Sequence, residues 1–356
     1  MAAKKIVVVF GATGNQGGSV ITSILRDPKT SSEYKLHGIT RDTNSAKAKA
    51  LEAKGVECVA ADINSKDQIK AALQGAYAVF AVTNYWDTGD AEVEIRQGKD
   101  IADASKVRKP WAAPAGTASH EAVDNPKWLA SAGKQTSSPA IPAGEANVQH
   151  LIWSGLYNIT KLTNGAFPNV DHFDSKAIVS DHIRSLGIPH TIFQPGFFMS
   201  NLPGGMMREL PPNNAWTLAV PMPDDTPLPL FDAAEDTGKF VKAILTHRDT
   251  VLGKNIHAAT DYYTPKQVVA TFKELYPEAG KDAKFFEATK EQYKGALGQA
   301  GMPEKAQQEL YENMSFMHDY GYFGKADLAD SHAILSEKLT TLKEFFASAK
   351  AFEGLK

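Results

Sequence analysis

Three glycines near the start of the chain have the spacing of a phosphate-binding loop. The segment GATGNQGGSV, residues 11–20, directly follows the apolar run KKIVVVF. The first glycine permits a sharp turn, the second lets the backbone approach a pyrophosphate, and the third lets the next helix pack on the strand. That helix would point its unpaired N–H groups and its positive dipole end at the phosphates. The sequence therefore predicts a dinucleotide site formed by Gly11, Ala12, Thr13, Gly14, Asn15, Gln16 and Gly17.

Residues that follow the second predicted strand decide which dinucleotide is preferred. A carboxylate there, about 20 residues beyond the glycines, would bind the ribose hydroxyls of NAD. Strand 35–40 runs instead into Arg41, and a guanidinium group suits a 2′-phosphate. Lys47 and Lys49 add positive charge nearby, whereas Asp42 would favour NAD if it turned inward. We therefore expect NADP(H) to be preferred over NAD(H).

Polar residues at the ends of later strands are expected to line the same cofactor. Asp62 ends the third strand and is predicted to lie beside the adenine. Thr83, Asn84 and Tyr85 end the fourth strand and are predicted to line the ribose and nicotinamide, because ligands gather at the carboxyl ends of parallel strands. Ser154 ends the fifth strand, where a catalytic serine and a structural turn residue are both open interpretations.

Two segments contain residues suited to proton transfer. Tyr157-Asn-Ile-Thr-Lys161 matches the YxxxK motif of short-chain dehydrogenases, whose tyrosine and lysine lie one turn apart on a helix. Tyr157, however, comes three residues after a strand, in a predicted loop. The helix expected from about Asp174 is preceded and opened by His172-Phe-Asp-Ser-Lys176, with histidine at the tyrosine position. We predict that Lys176 contacts the cofactor. His172 is a weaker candidate acid or base, with a plain polar role at a helix start as the alternative.

Alternating strands and helices must position these residues. Residues 4–160 alternate between short β-branched runs and amphipathic segments of helical length. Strands are predicted at 6–10, 35–40, 56–62, 76–83, 148–154 and 190–196, the last after a helix over 174–186. Because these strands are apolar on both faces, we expect an α/β fold with a doubly wound parallel sheet in residues 1–200. A smaller, mainly helical C-terminal domain, residues 201–356, is expected to pack on it.

Residues 107–145 do not fit this pattern. They carry five prolines and show no periodicity, whereas helix-to-strand links in such folds run about 2–6 residues. We interpret the segment as an insertion, with a functional lid as one alternative. The other, favoured if the gene contains introns, is a translated intron. Every codon for Val107 begins with GT, and a codon for Glu145 can be GAG, so residues 107–145 could be an in-frame GT…AG intron. Removal of this segment would join IADASK to ANVQHLIWSG.

The composition excludes several classes of function. The 356 residues are 43% hydrophobic and 22% charged, with a formal net charge of -3, as in ordinary folded soluble proteins. Without a basic stripe, we expect no direct nucleic-acid binding. No apolar run approaches the ~20 residues that span a bilayer, and no HExxH motif or Cys/His cluster predicts a metal site. With Cys58 as the single cysteine, we expect a cytoplasmic protein, or a nuclear one by passage with a partner.

A resemblance to the NmrA-like family, atypical relatives of the short-chain dehydrogenases, rests on several motifs together. They are VVVFGATGNQGGSV, AVTNYWD, WSGLYNITKLT, HFDSKAIVSDHIRSLGIP, QPGFFMSNL and AKFFEATKEQYKGALGQAG, and they cover nearly the whole chain except 107–145. The resemblance implies a Rossmann-like domain with NADP(H) at residues 11–16, Arg41 near the 2′-phosphate and Lys176 near the nicotinamide. It adds contacts from the segment 196–200, which begins with Gly196, Phe197 and Phe198.

The resemblance implies two kinds of function. The family includes fungal nitrogen-metabolite regulators and animal NADPH sensors, many without the catalytic tyrosine, as well as reductases of small aromatic substrates. Because the dinucleotide site is complete and the proton-donating pair is not, the sequence favours a redox-sensing regulator that binds a protein partner. The alternative is an NADPH-dependent oxidoreductase of a small aromatic, quinone or enone substrate, assisted by Lys176 and His172. The partner, the substrate and the oligomeric state, with a homodimer open, do not follow from the sequence.

Overall fold

The computed structural model describes residues 3–106, 148–203 and 205–356. Its strands are β1 (Lys5–Val9), β2 (Tyr34–Thr40), β3 (Glu57–Ala60), β4 (Ala76–Ala81), β5 (His150–Ser154), β6 (His190–Pro195), β7 (Phe197–Phe198), β8 (Met207–Leu210), β9 (Ala215–Val220), β10 (Leu228–Phe231), β11 (Asn255–Ala258), β12 (Asp261–Tyr263) and β13 (Lys284–Glu287). Its helices are α1 (Asn15–Arg26), α2 (Pro28–Glu33), α3 (Ala46–Glu52), α4 (Lys66–Ala72), α5 (Ala91–Ala104), α6 (Ile159–Leu162), α7 (Asp171–Ser185), α8 (Asp236–Thr246), α9 (Arg248–Val251), α10 (Pro265–Leu275), α11 (Lys290–Gln299), α12 (Glu304–Tyr320), α13 (Ala329–His332) and α14 (Leu342–Ser348).

Seven strands form one parallel sheet in the order β11–β6–β5–β4–β1–β2–β3. Every neighbouring pair in this sheet is parallel. The chain builds outward from β1 to β3 and then returns to β4 on the other side of β1. This reversal creates a crevice at the carboxyl ends of the strands, where such folds bind ligands. The predicted doubly wound, Rossmann-like sheet is confirmed.

Apolar residues on both faces of the strands explain why helices cover the sheet on both sides. Val7 and Val9 of β1 belong to one buried cluster, which includes Phe240 of α8. Val8 points the other way and belongs to a second cluster, which includes Ile101 of α5. Successive strand residues face opposite sides, so a run of valines requires a helical layer on each.

The chain after residue 200 is helical, as expected, with short strands in addition. Strands β7, β10 and β12 form one three-stranded sheet, and β8, β9 and β13 form another. Strand β11 joins the large sheet beside β6, and α8 packs so closely on α1 that a Cβ at Gly238 would lie 2.1 Å from the Ser19 carbonyl oxygen. Part of the chain after residue 200 thus completes the parallel sheet and the helices that cover it. The domain boundary at residue 200 stays a prediction, and the predicted insertion lies outside the described residues.

Helix α7 begins at Asp171, earlier than the start near Asp174 that the sequence indicated. Its N-cap, Val170, has no side chain that could accept a hydrogen bond. A carboxylate from α12 instead accepts the His172 backbone N–H at 2.8 Å. This partner lies far along the chain, so local capping signals could not show it. The correction places His172 inside the helix, one turn before Lys176.

Candidate active site

The predicted phosphate loop makes a tight turn between β1 and α1. Gly11 has a φ of +63°, a backbone conformation that favours glycine, and its carbonyl oxygen accepts the Gly14 N–H at 2.9 Å. A Cβ at Gly17 would lie 2.3 Å from that same oxygen, so a larger residue would push α1 away from β1. The N–H groups of residues 15–17, in the first turn of α1, have no acceptor within the helix, and no side chain caps this end. The geometry suits an anion at this end of α1.

Gln16 connects this loop to the end of β5. Ser154 is 1% exposed, and its hydroxyl donates a hydrogen bond to Gln16 Oε1 at 2.8 Å. Of the two interpretations that the sequence left open for Ser154, this bond supports the structural one. Ala12 is buried beneath the loop, whereas Thr13 and Asn15 lie nearer its surface.

The residues predicted to lie along the adenosine occupy the loops after β2 and β3. Arg41 is exposed, and its guanidinium has no hydrogen bond to any described residue. One oxygen of the exposed Asp42 carboxylate accepts the Asn44 backbone N–H at 2.8 Å. Asp62 likewise accepts the backbone N–H of Asn64, at 2.9 Å. A cavity of about 450 Å³ borders residues 12–15 of the loop and Lys47 and runs along α1 to Arg26, but Arg41, Asp42 and Asp62 do not line it.

Lys176 lies in a buried polar network at the end of β4. Its ammonium donates to both the carbonyl oxygen and the hydroxyl of Thr83 at 3.0 Å, and to Glu94 Oε1 at 2.6 Å. The Thr83 hydroxyl also donates to Glu94, as does the hydroxyl of Ser175. The side chains of Lys176 and Glu94 are only 12% and 1% exposed, so the two charges neutralise each other away from water. Protein acceptors thus match all three donors of the ammonium.

His172 is held by a second buried carboxylate, Glu309 of α12. Glu309 Oε1 accepts hydrogen bonds from the His172 backbone N–H and from ring Nδ1, which lies 2.6 Å away. The other oxygen accepts the Tyr85 hydroxyl at 2.8 Å. Burial and the adjacent carboxylate raise the pKa of Tyr85 well above its usual value, which keeps this hydroxyl protonated. The half-exposed ring of Trp86 lies 5.2 Å from the His172 ring.

The YxxxK motif at 157–161 does not form a proton-transfer pair. The Tyr157 hydroxyl lies 3.0 Å from His257 Nε2, whereas the Lys161 ammonium lies 3.2 Å from an Asp181 carboxylate oxygen. Burial raises the pKa of Tyr157 to about 12 and lowers that of His257 to about 4. The tyrosine is therefore a partly buried neutral group, and Lys161 is a surface lysine, 69% exposed.

A model of the NmrA-like family matches residues 3–109 and 139–346. The chain belongs to the NmrA-like family. This member is 29% identical over 258 residues to an NmrA-like family domain-containing oxidoreductase of Penicillium ochrochloron, a match that covers 68% of this chain and 64% of that protein. A second such oxidoreductase, from Aspergillus campestris, is 26% identical over 340 residues, which cover 91% of this chain and 86% of the relative.

Solved structures of low sequence identity share the fold of this NmrA-like chain. NmrA, a negative transcriptional regulator in complex with NADP, superposes with a TM-score of 0.72 at 19% identity, over 99% of this chain and 96% of that one. A complex of NmrA with NAD gives 0.70 at 19% identity, with the same coverage. Triphenylmethane reductase of Citrobacter, complexed with NADP(H), gives 0.67 at 18% identity, over 96% and 98% of the two chains.

The remaining residues predicted to contact the cofactor are Gly196, Phe197 and Phe198, which follow β6, and Asn84, which follows β4. The backbone turns at Gly196 directly after β6, where a Cβ would lie 2.3 Å from a carbonyl oxygen of β10. Phe197 is 4% exposed within the core of the later chain, and Phe198 packs against Phe231, at 6.3 Å between ring centroids. Asn84 is exposed and bonds Asp87. Within the described ranges, no cluster of potential metal ligands occurs, and no helix is long and apolar enough to cross a membrane.

Sequence reasoning missed the two glutamates that hold Lys176 and His172. Glu94 lies on the same face of α5 as Gly98 and Ile101, and Glu309 lies on the same face of α12 as Asn313 and Phe316. All these positions are buried. A carboxylate within the apolar face of an amphipathic helix is the signal that could have identified both.

Proposed function

We propose that this NmrA-like chain is an NADP(H)-dependent oxidoreductase that reduces a small carbonyl, quinone or enone compound. The observation that carries the proposal is the arrangement on α7, where His172 precedes Lys176 by one turn and Glu309 supports its ring. The sequence favoured a sensor because the proton-donating pair lacked its tyrosine. An imidazole backed by a buried carboxylate is an established acid–base unit, so the histidine can replace the tyrosine.

The residues around the crevice fit a dinucleotide. The first N–H groups of α1 and the close turn at Gly11 and Gly17 would hold the pyrophosphate. Lys176 and Thr83, at the carboxyl end of β4, would hold the nicotinamide half. When bound, the reduced cofactor supplies a hydride. The complexes of NmrA and triphenylmethane reductase with nicotinamide dinucleotides support this assignment.

A preference for NADP(H) over NAD(H) is supported by the loop after β2. Arg41 is exposed and unpaired among the described residues, while one oxygen of the Asp42 carboxylate accepts the backbone N–H of Asn44. Charge-assisted hydrogen bonds contribute about 1.5–3 kcal/mol each, so Arg41→Glu should weaken NADPH binding at least tenfold and leave NADH binding unchanged. The matched control is Arg208→Glu, at an exposed arginine of β8. Isothermal titration that shows equal losses for both cofactors would contradict the preference.

We expect a planar substrate because the exposed ring of Trp86 lies beside His172, the proposed proton donor. Trp86 is 49% exposed, and its ring contacts both Tyr85 and His172. Exposed tryptophan offers a large flat surface for a ring or conjugated system. The relatives named as oxidoreductases support a redox reaction, and triphenylmethane reductase is named for an aromatic compound.

The activity is tested by following NADPH oxidation with a panel of quinones, enones and aromatic ketones. Steady turnover with one compound is expected, and Lys176→Met and His172→Phe should each lower kcat by about 100-fold or more. Lys161→Met is the control, since this lysine pairs with Asp181 away from the crevice. Turnover that survives both α7 substitutions, or none with any compound, would refute the proposed function.

A redox-sensing regulator is the second candidate, and the bonding of Lys176 favours it. The ammonium has all three donors matched by Thr83 and Glu94, so ribose contacts require that these bonds rearrange. A sensor requires that NADP⁺ and NADPH favour different conformations. Amide hydrogen exchange over 91–104, the helix that carries Glu94, should then differ between the protein saturated with each form. Identical exchange would remove this candidate.

A further inference from the structure

Helix α12 presents two buried glutamates to the segment that starts α7. Glu309 and Glu312 are 1% and 6% exposed. Glu312 accepts hydrogen bonds from the backbone and side-chain N–H groups of Asn169, at 2.7 and 2.6 Å. Glu309 takes its partners from the proton-donor region, namely His172 and Tyr85. The two carboxylates lie one turn apart on one helix, yet only one of them contacts the imidazole.

Glu309 binds His172 at two points, which fixes the orientation of the ring. One oxygen accepts both the backbone N–H, at 2.8 Å, and ring Nδ1, at 2.6 Å. The other oxygen is held by the Tyr85 hydroxyl, so the carboxylate itself cannot rotate freely. Because the backbone and the ring of one residue share an acceptor, rotation of the imidazole would break a buried hydrogen bond.

This geometry also determines which ring nitrogen carries the proton. A carboxylate accepts hydrogen bonds, so the neutral ring must keep its hydrogen on Nδ1. The opposite nitrogen, Nε2, has no hydrogen-bond partner among the described residues, and the side chain is 13% exposed. Nε2 is therefore the ring atom that remains for a substrate.

We propose that Glu309 is the positioning residue of the site, which holds His172 in the Nδ1–H tautomer and so presents Nε2 to the reacting oxygen of the substrate. This inference rests on the proposed reductase function. In the step concerned, the substrate carbon gains a hydride from the reduced dinucleotide. Its oxygen gains a proton from Nε2 of the doubly protonated ring. The ring is left neutral with its hydrogen on Nδ1, and solvent restores the second proton.

Tyr85 has a supporting role in this arrangement. Its side chain is 2% exposed, and its hydroxyl is already committed to Glu309. A donor that is buried and bonded to a carboxylate has no free path to a substrate oxygen. The tyrosine therefore stabilises the carboxylate that orients His172, whereas the imidazole transfers the proton.

The test uses the full-length protein and three variants. Glu309→Met removes the acceptor oxygens but keeps an unbranched side chain. Glu309→Gln keeps one acceptor for His172, because the Tyr85 hydroxyl can turn to accept from the new amide. Glu312→Gln is the control on the same helix. Long-range ¹⁵N–¹H NMR of the imidazole, at about pH 8.5 where an ordinary histidine is neutral, reports the tautomer without cofactor or substrate.

The expected results separate positioning from folding. The wild type, Glu309→Gln and Glu312→Gln should show the Nδ1–H tautomer, and Glu309→Met should populate the Nε2–H form. In Glu309→Met, kcat should fall about 100-fold or more while KM and the NADPH dissociation constant stay near wild type. Glu309→Gln should recover most of kcat. If Glu309→Met does not fold, Glu309→Ala takes its place.

Two outcomes would overturn the inference. One is an unchanged tautomer in the variant that lacks the acceptor oxygens. The other is a changed tautomer with kcat intact, which would show that the ring position does not matter for turnover. Because the NMR measurement needs no substrate, it also distinguishes this failure from failure of the proposed function. A tautomer that depends on Glu309 in a protein without turnover would refute the reductase and leave the positioning contact established.

Discussion

Removal of the Glu94 carboxylate should destabilise the protein more than any substitution of an exposed acidic residue. Glu94 and Lys176 lie 2.6 Å apart with exposures of 1% and 12%. At an effective dielectric constant of about 20, unit charges at this distance attract by about 6 kcal/mol. Desolvation of both groups offsets much of this attraction. Loss of one partner, however, leaves the other charge buried and uncompensated, which costs about 3–5 kcal/mol.

The assay is the free energy of unfolding in urea, measured for Glu94→Gln, Lys176→Met and the double variant. We expect Glu94→Gln to lose about 3–5 kcal/mol, because the Lys176 ammonium keeps its Thr83 bonds but no anion. The double variant should be more stable than Glu94→Gln alone, since it contains no unpaired buried charge. The coupling free energy from this cycle isolates the ion pair from the other contacts of each side chain.

An exposed ion pair of equal length provides the control. Lys343 and Glu274 also lie 2.6 Å apart, but their side chains are 55% and 65% exposed. Glu274→Gln should therefore cost less than about 1 kcal/mol, as exposed pairs do. Equal losses for Glu94→Gln and Glu274→Gln, or a double variant whose loss is the sum of the single losses, would refute the reasoning from burial.

Three further predictions concern the loop, the pH dependence and the YxxxK motif. Gly17→Ala should abolish NADPH binding in titration calorimetry, whereas Gly18→Ala should bind normally, because a Cβ there would lie at an ordinary 3.6 Å from its nearest atom. Burial lowers the pKa of His257 to about 4 from 6.5, so the unfolded state binds the extra proton between those values. Stability should thus fall by about 3 kcal/mol as the pH drops through that window, and His257→Gln should remove this component from urea unfolding curves recorded against pH. Tyr157→Phe and Lys161→Met should leave kcat for any substrate unchanged, and a large loss in either would restore the motif as catalytic.

Local patterns were sufficient to predict the sheet and the glycine loop. Strand alternation and apolar faces predicted a doubly wound parallel sheet, and the loop spacing placed Gly11 and Gly17 at the turn, because both signals lie within a few neighbouring residues. Thr83 and Lys176 were both assigned to the cofactor crevice, where the structure shows them in direct contact. The contact itself was not predicted, since it joins a residue that follows β4 to a residue within α7, 93 positions further along the chain.

The partners of the two carboxylates were not predictable for the same reason. Glu94 reaches Lys176 across 82 positions, and Glu309 reaches His172 across 137. Hydrophobic periodicity describes each helix by itself and does not say which buried polar residues of two helices will meet. The earlier start of α7 has this cause as well, because its cap comes from α12.

Two different parts of the chain therefore hold the two key residues of α7. Lys176 is bound by Glu94 of α5, within the layer that covers the parallel sheet, whereas His172 is bound by Glu309 of α12, in the later chain. Because no side-chain hydrogen bond between described residues joins one carboxylate network to the other, substitutions in them should separate two functions. Changes at Glu94 should act on cofactor affinity and stability, and changes at Glu309 should act on proton transfer at constant cofactor affinity. A redox sensor without turnover needs the first network but not the second, so the response of kcat to Glu309 distinguishes the two functions within one set of variants.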